Sequence, residues 1–242
     1  MEQWFTELRE TFILNFIKQD RWMFLVKGLG VTLEVTFFAL LLGIFIGVLG
    51  AMIRSSYDQN KNDMEPGLIR NCFGFLNGLV KTYITVIRGT PVVLQLLIGY
   101  FVIFVSSTNM VLVASLVFGI NSGAYITEII RSGIMSVDGG QFEAGRSLGM
   151  DYVQTMGFII IPQAFKTVLP TLANEFIALL KETAVCGYIG LCDLTKAGDI
   201  IRGRTFSAFM PLIAVALIYL ALVMLFGYMT NILEQKLRTN ER

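Results

Sequence analysis

The stretch FEAGRSLGMDYVQTMGFIIIPQAFKTVLP, residues 142–170, lies between two long apolar segments of a very hydrophobic chain. Phe142–Leu148 reads as a short amphipathic helix with several small side chains. Gly149 is placed to end that helix by taking a positive φ, which costs glycine little. Met150–Ile161 resumes with apolar residues at helical spacing, and Pro162 and Pro170 are expected to limit helix continuity. The stretch predicts a helix-turn-helix that shows side chains to a partner. The plain alternative is an ordinary inter-helix loop.

The rest of the chain sets the class. Of 242 residues, 55% are hydrophobic and 15% are charged, and mean hydropathy is +0.66. Soluble domains carry about 25% charged residues, so a membrane protein is expected first. A net charge of +1 excludes a strongly basic nucleic-acid footprint. Histidine is absent, which removes the Ser-His-Asp triad and His-based metal sites. Glu128, Glu175 and Glu182 show no paired metal motif, so neither a metal site nor an enzyme is expected. Cys72, Cys186 and Cys192 form no CxxC and read as small packing residues. Met1–Asp20 lacks the apolar core of a cleavable signal peptide.

A membrane helix needs about 20 apolar residues. Five candidates are visible, at 28–53, 91–105, 110–130, 171–191 and 207–233, within a transmembrane domain of 28–233. The runs are continuous rather than alternating, so the expected fold class is all-α integral membrane. The second and third candidates are joined by only SSTN and predict a tight hairpin. The segment 1–27 predicts an amphipathic N-terminal helix through Trp4, Phe5, Leu8, Phe12 and Phe16. Gly67–Arg88 repeats that pattern through Ile69, Phe73, Leu76, Val80 and Tyr83. Each is expected either to lie flat on the membrane or to pack against the spans. Lys and Arg are more numerous in the 54–90 loop, the 131–170 loop and the 234–242 tail, 11 together, than on the other side, where 1–27 and 192–206 hold 7. The expected orientation is N-terminus outside and C-terminus in the cytoplasm. The opening stretch then faces the cytoplasm.

Depth along the spans singles out a second group. Lys181 and Glu182 fall near the middle of the fourth candidate, where each charge costs roughly 2.5–3.5 kcal/mol. Glu175 lies two turns away from Glu182 on a shared face. Asn121, Ser122, Tyr125 and Glu128 form a polar strip along the third candidate. The functional reading is a pathway for a zwitterion, with a cation meeting its α-carboxylate and a carboxylate meeting its α-ammonium. The structural reading is mutual pairing that fixes helix packing, with Glu34 and Gln95 as further partners. Glu128 and Arg131 read as an i,i+3 ion pair or a gate. Gly43, Gly47 and Gly50 read as a close-packing face.

The spacing in the opening stretch adds a family. Glu143-Ala144-Gly145, three residues, Gly149, nine residues and Ile159-x-Ile161-Pro162 resemble the EAA signature of ABC importer permeases. Two positions depart from it. Gly145 replaces the second Ala, which is expected to loosen the short helix by up to about 1 kcal/mol, and Ile161 replaces Leu. VIRGTPVVLQ (86–95), NSGAYITEIIRSGIMSV (121–137) and NEFIALLKETAVCGYIGLCDL (174–194) are similar to core segments of the polar and basic amino-acid branch of type I importers. The resemblance covers about Gly28–Leu233. The 54–70 loop is longer and more charged than is usual in that family.

The resemblance implies a five-helix type I permease core with a cytoplasmic coupling helix inside a coupling loop at 138–165. It implies that Phe142, Glu143, Ala144, Gly145, Arg146, Gly149 and Pro162 couple to an ATPase. The substrate path itself is expected from depth along the spans, at Asn121, Ser122, Tyr125, Lys181 and Glu182. Phe142 would be an apolar anchor there. The chain has no GxxxxGK[ST]. ATP and Mg therefore belong to a separate ATP-binding cassette dimer, with no cofactor in this chain. A second permease subunit, identical or homologous, and an extracellular amino-acid-binding protein complete the expected machine. Its expected place is the bacterial cytoplasmic (inner) membrane. An ion-coupled secondary amino-acid transporter, with Glu182 carrying protons, is the competing class.

Overall fold

The computed structural model describes residues 2–60 and 67–239, and among them the regular structure is all helical, with short turns between helices and no strand. Ten α-helices follow one another: α1 Glu2–Phe12, α2 Trp22–Asn60, α3 Leu68–Arg88, α4 Val92–Ile98, α5 Met110–Met135, α6 Gly139–Ser147, α7 Tyr152–Thr155, α8 Ile161–Glu182, α9 Leu194–Thr205 and α10 Phe209–Thr239. Four helical stretches are long and apolar enough to cross a membrane: Trp22–Gln59, Met110–Met135, Tyr152–Ile189 and Phe209–Leu237. A fifth span results if α3 and the segment after it are taken as one broken element. That segment, α4 with its following π turn, runs only from Val92 to Ile103. At 1.5 Å per residue it reaches about 18 Å, short of a hydrocarbon core of about 30 Å.

Two differences from the sequence reading matter for function. The first span does not stop at Ile53. Helix α2 has 39 residues and continues through the polar run Arg54–Asn60, a length of about 58 Å. The six residues after it lie outside the described part. Second, Pro162 and Pro170 do not interrupt the chain. Tyr152–Ile189 is one continuous helical stretch. Pro162 stands just behind a π turn at Met156–Ile160, where Ile161 N–H donates to Met156 O. Its ring meets a widened turn, and its missing N–H falls where the hydrogen-bond register changes. Pro170 sits inside α8, beside Thr171, whose hydroxyl donates to the Thr167 carbonyl at 3.2 Å. Hydroxyl groups of this kind help membrane helices tolerate proline.

The chain divides into two compact units, residues 1–39, 92–118 and 177–227 in one, and 40–91, 119–176 and 228–242 in the other. In the first, Phe16, Leu25, Leu194, Ala197, Ile201 and Val215 form the core. The N-terminal segment packs here as well as presenting an apolar face. Buried Asn15 accepts from the Thr205 hydroxyl at 2.7 Å and donates to Ser207 Oγ at 3.3 Å, while Trp4 and Phe5 stay exposed. Asp193 caps α9 by accepting from the Thr195 and Lys196 amides. Burial pushes its carboxyl up in pKa, against the pull of those amides. On the outer face of α9 the reverse holds. Hydrogen bonds from Arg202 and Lys196 hold the Asp199 carboxyl below its ordinary value. Of the cysteines, Cys186 is buried and Cys72 is exposed.

In the second unit, α5 is the packing centre. Gly43, Gly47 and Gly50 of α2 face it, and a Cβ at Gly47 would lie 2.3 Å from Ile126 Cγ2. From the α5 side, a Cβ at Gly119 would lie 2.7 Å from Leu42 Cδ2. The small-residue face thus allows the two backbones to approach closely. Ile134, Ile160 and Ala164 form a second small core where α5, the π turn and α8 meet.

Candidate functional site

The polar strip of α5 is buried. Asn121 is 3% exposed and Ser122 is fully enclosed. Ser122 Oγ donates to Glu175 Oε1 of α8 at 2.9 Å, so a carboxylate from the neighbouring helix meets the strip at this level. One helical turn on, Tyr125 borders a cavity of about 650 Å³ shared with Arg88, Glu128, Ser132, Ser136 and Thr167. The Arg88 guanidinium lies over the Tyr125 ring, 5.0 Å from its centroid. Glu128 accepts two bonds from Arg131, at 2.9 and 3.3 Å, and Arg131 also reaches Asp58 at 3.4 Å. The cavity wall therefore carries a cation, hydroxyl groups and a carboxylate held in an ion-pair network.

Of the five expected path residues, the structure brings Tyr125 to this cavity and sets Ser122 against Glu175. Lys181 is exposed and Glu182 half-buried on α8, and neither lines the cavity. The sequence reading missed Arg88 and counted it only as a loop charge. Its signal was its place at the end of an amphipathic helix, directly before Gly89-Thr90-Pro91, where the helix breaks.

The segment 138–162 is built as a capped turn between helices. The Asp138 side chain accepts from Gly140 N–H at 2.6 Å and starts α6. Gly149 has φ +79°. Its N–H donates to Arg146 O at 2.9 Å, and Met150 N–H donates to Gly145 O at 3.1 Å. These two bonds form a Schellman closure, which needs the left-handed conformation at Gly149. Two residues later Asp151 and Gln154 form a reciprocal capping box that starts α7. The turn is thus fixed from both sides by local hydrogen bonds.

Side chains divide cleanly across this segment. Glu143, Ala144 and Arg146 are exposed on α6. Phe142 turns inward, packs on the Ile134–Ile160–Ala164 core and lies 5.7 Å from the Tyr152 ring. The displayed apolar residues are instead Leu148 at 79% exposure and Val153 at 74%. Gly145 is buried, and a Cβ there would lie 2.8 Å from Thr155 Cγ2 and 2.9 Å from Thr155 Oγ1. The departure at this position is therefore a fitted contact, beyond a loosening of the helix. Pro162 is exposed at the start of α8. A concave surface of about 680 Å³ runs between α6 and α7, bordered by Glu143, Arg146, Met150 and Gln59.

The family described as binding-protein-dependent transport system inner membrane component matches residues 67–239. A Rickettsia bellii protein provisionally named as the glutamine transport system permease GlnP is 37% identical over 89% of this chain and 93% of its own length. The arginine transport system permease ArtQ of Bacillus subtilis is 33% identical over 90% of this chain and 94% of its own. A solved chain of an amino acid ABC transporter with histidines superposes with a TM-score of 0.78 at 37% identity. It covers 91% of this chain and 98% of that one. These relatives are permeases and a chain of an ABC transporter, and the ion-coupled carrier finds no support among them.

Proposed function

This chain belongs to the inner-membrane components of binding-protein-dependent transport systems and is the permease subunit of an ABC importer, and we propose that its cargo is a polar amino acid. What supports the cargo is the pair of relatives named for glutamine and arginine transport, together with a cavity wall that suits a zwitterion. Arg88 offers a cation to an α-carboxylate. Ser132, Ser136 and Thr167 offer neutral polar contacts. Glu128, although held by Arg131, keeps lone pairs for an α-ammonium. On α5 the proposed path residues are Asn121, Ser122 and Tyr125; Lys181 and Glu182 of α8, which do not line this cavity, are proposed for substrate contact on their own account.

In the proposed machine an ATP-binding cassette dimer binds ATP and Mg on the cytoplasmic side. A second permease subunit completes the pathway, and an extracellular binding protein delivers the amino acid. The charge distribution supports an N-terminus outside and a C-terminus in the cytoplasm. Closure of the ATPase pair moves α6, which is gripped through Glu143, Ala144, Arg146 and the apolar tip at Leu148. Because the turn at Gly149 is locked, α6 does not fold away under load, and the displacement passes into α5 and α8. Pro162 marks where the segment joins α8.

The observation that carries the coupling reading is the Schellman turn at Gly149 in the middle of an EAA-like spacing. Co-purification from detergent, with the chain expressed beside its genomic neighbours, tests it. A stable ATPase complex that Gly149→Asp releases is the expected result. A chain that purifies without any ATPase sinks the reading. For the path, Glu182→Ala is expected to alter amino-acid-stimulated ATP hydrolysis. Unchanged stimulation and unchanged substrate preference remove Glu182 from it.

A further inference from the structure

Helix α6 is joined through the chain to α5 before it and α8 after it, yet its packing leads to a third element. Phe142 of α6 rests on the Tyr152 ring. Tyr152 Oη donates to Gln59 Oε1 of α2 at 3.0 Å and lies 3.3 Å from Ser56 Oγ. These acceptors belong to the polar run that extends α2 beyond its apolar part. The same run is tied down on two further sides. Arg54 donates to Asn77 Oδ1 of α3 at 3.0 Å, and the Tyr57 and Phe73 rings lie 5.9 Å apart. Asp58 pairs with Arg131 of α5 at 3.4 Å. One and a half turns of helix thus touch α3, α5 and the segment that follows α6.

We propose that residues 54–59 of α2 are a transmission strut, and that Tyr152 is the positioning residue that passes displacement of α6 to α2. This inference rests on the permease reading. A polar extension that only kept α2 soluble beyond the membrane would need no bonds to three neighbours. The bonds found here lie on successive faces of the extension, so a push at Tyr152 reaches α3 and α5 through side chains that are already engaged. The small-residue face of Gly43, Gly47 and Gly50 then carries the movement along α2 without slack, since no side chain there can yield.

The test uses the complete complex with its ATPase and binding protein in proteoliposomes, with glutamine and arginine each supplied in turn as the probe. Tyr152→Phe keeps the ring on Phe142 and removes only the hydroxyl. The expected variant retains the ATPase, hydrolyses ATP near the wild-type rate and keeps its thermal midpoint. It transports about 5-fold less amino acid per ATP, within the range by which single residues modulate coupling between sites. Gln59→Ala is expected to behave alike, and the double variant to be no worse than either single one, because both remove the same link. A wild-type transport-to-ATP ratio in Tyr152→Phe overturns the strut. So does a reduced ratio that tracks a lowered thermal midpoint, since that marks a packing role alone. If the wild-type chain itself brings down no ATPase, the permease reading fails first and the strut with it.

Discussion

The polar strip of α5 and the α6–α7 turn invert the ordering of a soluble protein in opposite ways. The strip buries Asn121 and Ser122, while the turn leaves Leu148 and Val153 exposed. Both arrangements cost free energy in an isolated subunit. In the strip the cost is offset internally, because Ser122 finds Glu175. In the turn nothing within the described residues covers Leu148. The difference separates polar groups whose burial is offset within the chain from apolar groups left uncovered within the described residues, the proposed docking groups.

The strongest way to break this contrast is at the face that lets the strip be buried at all. Gly47→Leu puts a side chain where Ile126 already stands. The variant is expected to yield no monodisperse subunit in detergent, by size-exclusion chromatography. Recovery of a folded, transporting variant would show that α2 and α5 do not pack as described. Next comes docking. Leu148→Glu is expected to cut transport by about 10-fold or more, a loss typical of a buried interface anchor. The thermal midpoint of the isolated subunit should not move, because the residue is exposed. A midpoint shift without a transport defect would place Leu148 in the fold instead.

Smaller effects sharpen the inner half of the contrast. Glu175→Ala leaves Ser122 Oγ buried without its acceptor, at a cost of about 1–3 kcal/mol. Differential scanning fluorimetry should show a clear loss, and Ser122→Ala/Glu175→Ala together should lose less than the sum of the single changes. Additive losses would mean that the pair is not coupled. The smallest effect belongs to Asp199→Asn on the exposed face of α9. Arg202 and Lys196 lower the folded-state pKa of this carboxyl. Its contribution is therefore present above the ordinary carboxylate value and is lost as pH falls through the lower folded value. Near pH 7 the variant is expected to be slightly less stable, and below the folded value the difference should vanish. A difference that grows in acid would contradict the assignment.

Much of the fold was legible because its signals are additive. Long apolar runs mark α2, α5, α8 and α10, and glycine at 149 marks the turn through a conformation that favours it. What stayed hidden depends on pairs. The run RSSYDQN carries no apolar period, and its bonds to Asn77, Arg131 and Tyr152 are ones a one-dimensional reading does not see. Pro162 reads as a breaker unless the preceding turn is known to be widened. Phe142 reads as an anchor until Tyr152 is placed beneath it, and Arg88 reads as a loop charge until the break at Gly89–Pro91 brings it to Tyr125. The strip on α5 was visible by spacing, whereas its partner Glu175 required the register between two helices.

The contact between Gly145 and Thr155 also constrains descent. A lineage that gains alanine at 145 while threonine remains at 155 carries a clash inside its coupling segment. Alanine at 155 removes both offending atoms. The change at 155 therefore has to precede or accompany the one at 145, and a transport-defective Gly145→Ala strain placed under selection for uptake should return second-site revertants at codon 155.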